Sequence, residues 1–113
     1  MSRHNVTTMV TEQLQGASVA SKANVFFDGK CVSHTVILAN GEKKSVGVVL
    51  PSHLTFNTAA AEIMECVAGA CEYKLAGSDA WQHAGPGDKF NVAANSSFEI
   101  KVAEAYHYIC HFG

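Results

Sequence analysis

The chain has 113 residues and a formal net charge of −2, with 48% hydrophobic and 16% charged residues. This length suits one domain with a single modest core, and the composition is globular rather than disordered. The few lysines are spread along the sequence, which argues against binding to nucleic acid polymers because these require a dense basic surface. No run approaches the roughly 20 apolar residues of a membrane helix, and residues 1–21 lack the apolar core of a secretory signal. We therefore expect a cytoplasmic protein with no membrane partner.

Residues 1–22 are rich in Ser, Thr, Gln and Ala and predict a flexible N-terminal extension. From residue 23 to residue 113, short β-branched and aromatic runs alternate with turn residues such as Asn40-Gly41, which predicts a single β domain. Strands are predicted, in chain order, at 24–27, 31–39, 45–50, 53–58, 63–67, 71–75, 81–83, 90–92, 97–102 and 105–112. About ten short strands without a long helix favour an all-β barrel or sandwich.

The cysteines are Cys31, Cys66, Cys71 and Cys110, and they form no C-x-x-C pair. In a reducing compartment such residues are most simply buried small apolar side chains. The alternative is a disulfide or a thiol site.

Two glycine-containing blocks suggest a more specific architecture. Glu62 lies seven residues before Gly69, and a second block runs from Gly87 to Asn95. These spacings resemble the two conserved blocks of the cupin superfamily. The resemblance implies a cupin-like β-barrel, an RmlC-like jelly roll of about ten short antiparallel strands.

The metal-binding histidines of such blocks are missing from this sequence. A metal-binding cupin has a His-x-His pair just upstream of the glutamate and a third histidine in the second block. Here the upstream stretch is Thr55-Phe56-Asn57-Thr58, and Phe98 stands at the later position. A lone carboxylate does not hold a transition metal, which needs three or four converging donors. We therefore expect no bound metal, and a metal-dependent oxygenase or isomerase is disfavoured.

The stretch from Asn24 to Phe112 resembles a narrower family, the small cupin-like pyrimidine/purine nucleoside phosphorylases. The matching residues are Phe27, Gly29, Lys30, Ser45-Val46-Gly47-Val48, Thr55-Phe56, Thr58, Glu62, Met64, Gly69, Trp81, Gly87, Phe90-Asn91-Val92, Ser96, Phe98, Val102, Tyr108 and Cys110. The sequence departs from the family at Ala93, where Pro is usual, and at His111, where Arg or Tyr is frequent. Residues before Ala23 lie outside the resemblance.

The resemblance implies a phosphorolytic enzyme acting on purine and pyrimidine nucleosides. Inorganic phosphate is the co-substrate, the products are free base and ribose 1-phosphate, and no cofactor is required. Such a site must hold phosphate, bind the ribose hydroxyls and donate a hydrogen bond to the departing base. Small domains of this type have sheet edges to protect, so we also expect a homodimer.

Glu62 is the predicted catalytic residue, because its counterpart in cupins points into the barrel and an unpaired buried carboxylate is costly. Its alternative role is to cap a turn or pair with a lysine at the mouth. Phe56 and Phe98 stand at former metal-ligand positions and are predicted to stack on the base, although both also fit a plain core.

For phosphate, the domain from residue 23 onward contains no arginine, so other donors must serve. Lys44 shares its parity with Val46 and Val48, which predicts a place at the inner rim of its strand. The other predicted substrate-binding residues are Ser45, Thr58 and Tyr108, with Lys43 as a further candidate. A solvated hairpin end is the alternative for both lysines. The histidines of the domain are interpreted as surface or rim groups, namely His34, His53, His83, His107 and His111.

A second class of function fits the same sequence. A metal-free cupin that binds a small metabolite without turnover is compatible with the loss of the metal ligands.

Overall fold

The computed structural model describes residues 10–112 and is built almost entirely of short β-strands. The elements are β1 (Ser18–Val19), β2 (Asn24–Phe26), a 3₁₀ helix (Phe27–Gly29), β3 (Cys31–Ile37), β4 (Lys43–Val49), β5 (Ser52–Asn57), β6 (Glu62–Ala68), β7 (Cys71–Leu75), β8 (Gln82–Ala84), β9 (Lys89–Val92), β10 (Ser97–Val102) and β11 (Tyr106–Phe112). Each strand predicted from the sequence is present, so the all-β class is confirmed. No helix in this part of the chain is long and apolar enough to cross a membrane.

The strands form two antiparallel sheets that enclose one core. The larger sheet has the order β1-β3-β4-β11-β6-β9, with β2 also paired to β3, and the smaller sheet has the order β5-β10-β7-β8. Aromatic rings join the sheets: Tyr73 of β7 stacks on Phe90 of β9 with centroids 3.8 Å apart. The ladders between residues 10 and 112 stay within these two sheets, so the fold is described as a sandwich, and closure into a continuous barrel remains a prediction.

The central strand of the smaller sheet shows how the sequence pattern sets the faces. Phe98, Ile100 and Val102 alternate along β10 and are 0–6% exposed. The residues between them point outward, where Glu99 contacts Lys74. Because side chains of a strand alternate between its two faces, this period of two places β10 with one face on the core.

The predicted N-terminal extension is part of the sheet in its described portion. Residues 1–9 lie outside the described residues, but β1 pairs with β3 through Ser18↔Ile37 and Val19↔Val36. Residues 11–19 lie beside the outer face of the larger sheet, where Val36 and Ile109 are each only 3% exposed. The sheet therefore begins before the predicted boundary at residue 23, because apolar side chains on its outer face gain stability from this cover.

The hairpin between β6 and β7 depends on a single glycine. Gly69 has φ +73°, a conformation that side-chain-bearing residues rarely adopt, and a Cβ placed there would lie 1.9 Å from the carbonyl oxygen of Ala105. Both the backbone angle and the close approach of the chain before β11 therefore require glycine.

We predict that Gly69→Ala destabilises the fold much more than Gly77→Ala. Gly77 has a similar φ of +81° but nothing within 4 Å of an added Cβ, so it isolates the effect of the backbone angle. Gly77→Ala should cost about 1–2 kcal/mol, and Gly69→Ala should cost several times more or prevent folding. Urea unfolding measures both variants, and equal losses would refute the role given to the Ala105 contact.

Candidate functional site

The space between the two sheets contains a cavity of about 290 Å³, which we call the inter-sheet cavity. Its polar lining comes mainly from the larger sheet, and both sheets contribute aromatic side chains. Residues that line it include Asn24, Ser33, Thr35, Lys43, Ser45, Phe56, Glu62, Phe98, Tyr108, Cys110 and Phe112. A cavity near 300 Å³ with an apolar wall and a few converging polar groups has the character of a small-molecule site.

The aromatic wall is a stack of two phenylalanines. Phe56 of β5 and Phe98 of β10 are direct register partners, and their rings stack with centroids 5.3 Å apart and an interplanar angle of 16°. Phe27 packs edge-on against Phe56 at 5.2 Å. Phe98 is 3% exposed whereas Phe56 is only partly buried, so Phe98 belongs to the core and Phe56 presents an accessible ring.

Glu62 lies at the mouth of this cavity. It is the first residue of β6, opposite Phe112 of β11 and Val92 of β9. Burial raises the pKa of its carboxyl above the usual range, and a hydrogen bond with the thiol of Cys110 lowers it in part. The salt bridges formed between residues 10 and 112 do not involve Glu62, so no lysine of this part of the chain neutralises its carboxyl.

The floor of the cavity is polar but closely packed. The Tyr108 hydroxyl lies 3.4 Å from the Cys31 sulfur and is hydrogen-bonded with Ser33. Burial raises the pKa of Cys110 to about 12, partly offset by a hydrogen bond with Ser45. A Cβ at Gly47 would lie 2.8 Å from the Tyr108 hydroxyl, so this glycine makes room for the ring.

All four cysteines are free and buried, in keeping with small apolar side chains.

The prediction that Lys44 lies at the inner rim is wrong, because the neighbouring Lys43 has that position. On β4 the buried residues are Ser45 and Val49, so their parity, shared by Lys43, faces inward. The Lys43 ammonium lies 5.1 Å from the Phe112 ring centroid and lines the inter-sheet cavity. Lys44 lies on the outer face, where its ammonium is 3.7 Å from a carboxylate oxygen of Glu42.

Thr58 has a structural position outside the inter-sheet cavity. Its buried hydroxyl donates to the Ala93 carbonyl at 2.6 Å and accepts from the Ser96 backbone N–H at 3.0 Å. It therefore fastens the end of β5 to the turn between β9 and β10. The structure brings the other predicted site residues of the interior together, namely Glu62, Ser45, Phe56, Phe98 and Tyr108.

Sequence reasoning missed the polar residues of β2 and β3. The Asn24 amide donates to the hydroxyls of Ser33 and Thr35, both at 3.3 Å. Ser33 and Thr35 share the inward parity of the buried Cys31. This alternation of hydroxyls with a core residue is a signal in the sequence that the β-branched pattern of the strand masks.

A second cleft of about 830 Å³ continues from the mouth onto the outside of the molecule, and we call it the rim groove. Glu62 and Phe112 line both the groove and the inter-sheet cavity. The groove then extends past Lys44, Lys89 and His111 on the outer face. A ligand at Glu62 can therefore reach both spaces.

A buried carboxylate holds His111 at this groove. Glu65 is 2% exposed, and its Oε1 accepts a hydrogen bond from Nε2 of His111 at 2.8 Å. Burial alone raises the pKa of Glu65, but hydrogen bonds from His111 and Thr11 and the charge of Lys89 outweigh it and hold this pKa below the usual range. His111, which was interpreted only as a surface or rim residue, is thus fixed in place.

Within residues 10–112, no three His, Cys, Asp or Glu side chains lie close enough together to hold a metal ion. The absence of a bound metal stays a prediction.

The fold and the cavity define a small all-β protein with a ligand-sized space between two sheets. Over residues 21–112 the chain matches the pyrimidine/purine nucleoside phosphorylase family. A protein of that name from Paracidovorax citrulli is 68% identical over 105 residues, covering 93% of this chain and 100% of that one. Another from Ralstonia nicotianae is 65% identical over 104 residues, covering 92% and 99%.

A crystal structure of a protein of unknown function from Acinetobacter sp. ADP1 superimposes with a TM-score of 0.89 at 40% identity, covering 91% of this chain and 100% of that one. These similarities span nearly the whole sequence. The chain belongs to the pyrimidine/purine nucleoside phosphorylase family, which confirms the resemblance seen in the sequence.

We predict that Glu65→Gln lowers stability near neutral pH and that its difference from wild type shrinks in acid. The folded-state pKa of Glu65 is lowered, so its contribution is fully present above the unfolded value of about 4.3 and is lost as the pH falls through the folded value. Urea unfolding at neutral and strongly acidic pH measures this difference. Glu72→Gln, at an exposed position of β7, is the control, and a gap for Glu65→Gln that is the same at every pH would contradict the account.

Proposed function

We propose that this protein is a nucleoside phosphorylase that cleaves the N-glycosidic bond of purine and pyrimidine nucleosides with inorganic phosphate. The observation that carries the proposal is the inter-sheet cavity with an accessible aromatic ring on one side and Glu62 at its mouth. The names carried by its relatives support the same activity. The proposal requires phosphate as co-substrate and no cofactor.

The reaction sets clear demands on the site. An oxygen of phosphate forms a bond to C1′ of the ribose while the bond from C1′ to the base nitrogen breaks. The electron pair of that bond leaves with the base, which takes up a proton, and ribose 1-phosphate remains. Positive charge develops on the ribose ring and negative charge on the base, so the site must orient three groups and stabilise both charges.

The cavity offers a position for each part of the nucleoside. Phe56 can stack on a base of any identity because every base has a π-face. The ribose then lies at the mouth, where the Glu62 carboxylate accepts hydrogen bonds from its hydroxyls and faces the developing positive charge. Lys43, at the same mouth, is a donor for the base or the sugar.

The direct test is release of free base from uridine and inosine, with and without inorganic phosphate. The proposal predicts release only with phosphate, together with formation of ribose 1-phosphate. Base release at the same rate with and without phosphate would indicate a hydrolase. No release from any nucleoside, with binding retained, would indicate a binding protein without turnover.

We predict that Glu62→Gln lowers kcat/KM roughly 100-fold, the scale of removing one preorganised polar group from a site. The fold should be retained because Glu62 forms no salt bridge in the described part of the chain. Steady-state kinetics with Glu72→Gln as the matched control measure the effect, and wild-type rates would remove Glu62 from the site.

The same carboxylate should set the acidic limb of the pH profile. Burial raises its pKa, so the ionised form and the activity should decline as the pH falls through a value above the usual glutamate range. In wild type we expect this limb in kcat/KM, and in Glu62→Gln we expect it to disappear. A limb that persists in the variant would assign it to another group.

We predict that Phe56→Leu raises KM for nucleosides about tenfold, since base stacking contributes roughly 1–3 kcal/mol. The partial exposure of Phe56 makes it a safer probe than the fully packed Phe98. KM for phosphate should stay within about twofold, and an unchanged nucleoside KM would place the base elsewhere.

A homodimer remains a further prediction, which light scattering tests.

A further inference from the structure

Two rows of residues meet at the end of the larger sheet, one facing inward and one facing outward. The terminal row contains Phe112, Glu62 and Val92, which face the interior. The next row places Lys44 beside His111, His111 beside Ile63 and Ile63 beside Asn91, all directed to the outer face. The row that contains Lys44 and His111 is therefore one residue step from the row of Glu62, and Lys89 lies further along, opposite Glu65.

We propose that the rim groove is the phosphate subsite, with Lys44, Lys89 and His111 as its donors. This inference rests on the proposed phosphorylase activity and assigns the co-substrate to a place outside the inter-sheet cavity. The base lies inside, the ribose lies at Glu62, and the phosphate approaches from the groove.

His111 is suited to this role by its hydrogen bond. With Glu65 held ionised, Nε2 of His111 must carry a proton to donate, and this leaves Nδ1 as the ring nitrogen available to a ligand. Nδ1 can donate to a phosphate oxygen when the ring is charged, or accept the hydroxyl proton of a phosphate when it is neutral. Glu65 acts here as a positioning residue, since it orients the ring without touching the ligand.

The lysines provide charge on both sides of this ring. Lys44 is the register partner of His111 across β4 and β11, and Lys89 is the register partner of Glu65 across β9 and β6. Two carboxylates compete with phosphate for them. Glu42 lies 3.7 Å from the Lys44 ammonium but is 58% exposed, so this pair is weak. Glu65 faces Lys89 but is already hydrogen-bonded with His111 and Thr11.

The geometry also fits the direction of attack. The rim groove connects the two places, since Glu62 and His111 both line it, so an anion beside His111 can approach a ribose at Glu62 through the open cleft. The nucleophile and the departing base would then lie on opposite sides of C1′. Ribose 1-phosphate would leave through the open groove after the base has gone.

The neighbouring lysines of β4 give the sharpest test. We expect Lys44→Met and Lys89→Met each to raise KM for phosphate about tenfold, the loss of one charge-assisted hydrogen bond, with KM for the nucleoside nearly unchanged. Lys43→Met should instead raise KM for the nucleoside and leave KM for phosphate nearly unchanged, because Lys43 lines the inter-sheet cavity. Lys101→Met, on the outer face of the smaller sheet over Trp81, should change neither constant. A rise in phosphate KM for Lys43→Met alone would overturn the assignment.

Binding of inorganic phosphate without nucleoside separates this inference from the proposed activity. In phosphorus-31 NMR, wild type and Lys43→Met should broaden the phosphate signal, and Lys44→Met and Lys89→Met should broaden it much less. If no nucleoside is cleaved but this pattern holds, the subsite stands and the proposed function fails. If nucleosides are cleaved but all four proteins broaden the phosphate signal equally, the subsite fails and the function stands.

Discussion

The register of four adjacent strands is the constraint on which the candidate site depends. Pairing of β4, β11, β6 and β9 puts Glu62 in the terminal inward row and His111 in the neighbouring outward row. Because side chains alternate between faces, a slip of one residue would exchange these rows, moving the buried Met64 to the outer face and the exposed Ile63 into the core. The buried residues Cys110 and Met64 on the inner face oppose such a slip.

The same strand carries two carboxylates with opposite roles. On β6, Glu62 faces the interior with a pKa raised by burial, and Glu65 faces outward with a pKa held low by its partners. The difference comes from hydrogen bonding: Glu65 has His111 and Thr11, whereas Glu62 has the thiol of Cys110. One carboxylate is therefore satisfied by the protein and orients a histidine, and the other is the one that we propose meets the ribose.

The strands and their buried faces were readable from the sequence because short alternating runs and turn residues report them directly. The resemblance to a family predicted inward positions for Glu62 and Phe56, and the need for phosphate donors suggested Ser45. The structure brings all three together at the cavity. Lys44 was misplaced because Val46 and Val48 made its parity look buried. Val46 is in fact 41% exposed, and the small residue Ser45 faces the core.

The contact between Glu65 and His111 could not be predicted from the sequence, for a different reason. The residues are 46 positions apart and lie on a diagonal of β6 and β11, where a register shift occurs between His107 and Tyr108. No local pattern encodes such a diagonal pair. The pairing of Ser18 and Val19 with β3 was missed similarly, since two residues carry too little periodicity to predict a strand.

The central claim is that the nucleoside binds with its base in the inter-sheet cavity and its sugar at Glu62, and that phosphate binds next to it in the rim groove. A crystal structure of the protein with ribose 1-phosphate and a free base tests this most directly. The account predicts the base against Phe56, the ribose hydroxyls on the Glu62 carboxylate and the phosphoryl group beside His111. Both ligands bound away from Glu62, or a phosphoryl group buried beside Tyr108, would contradict it.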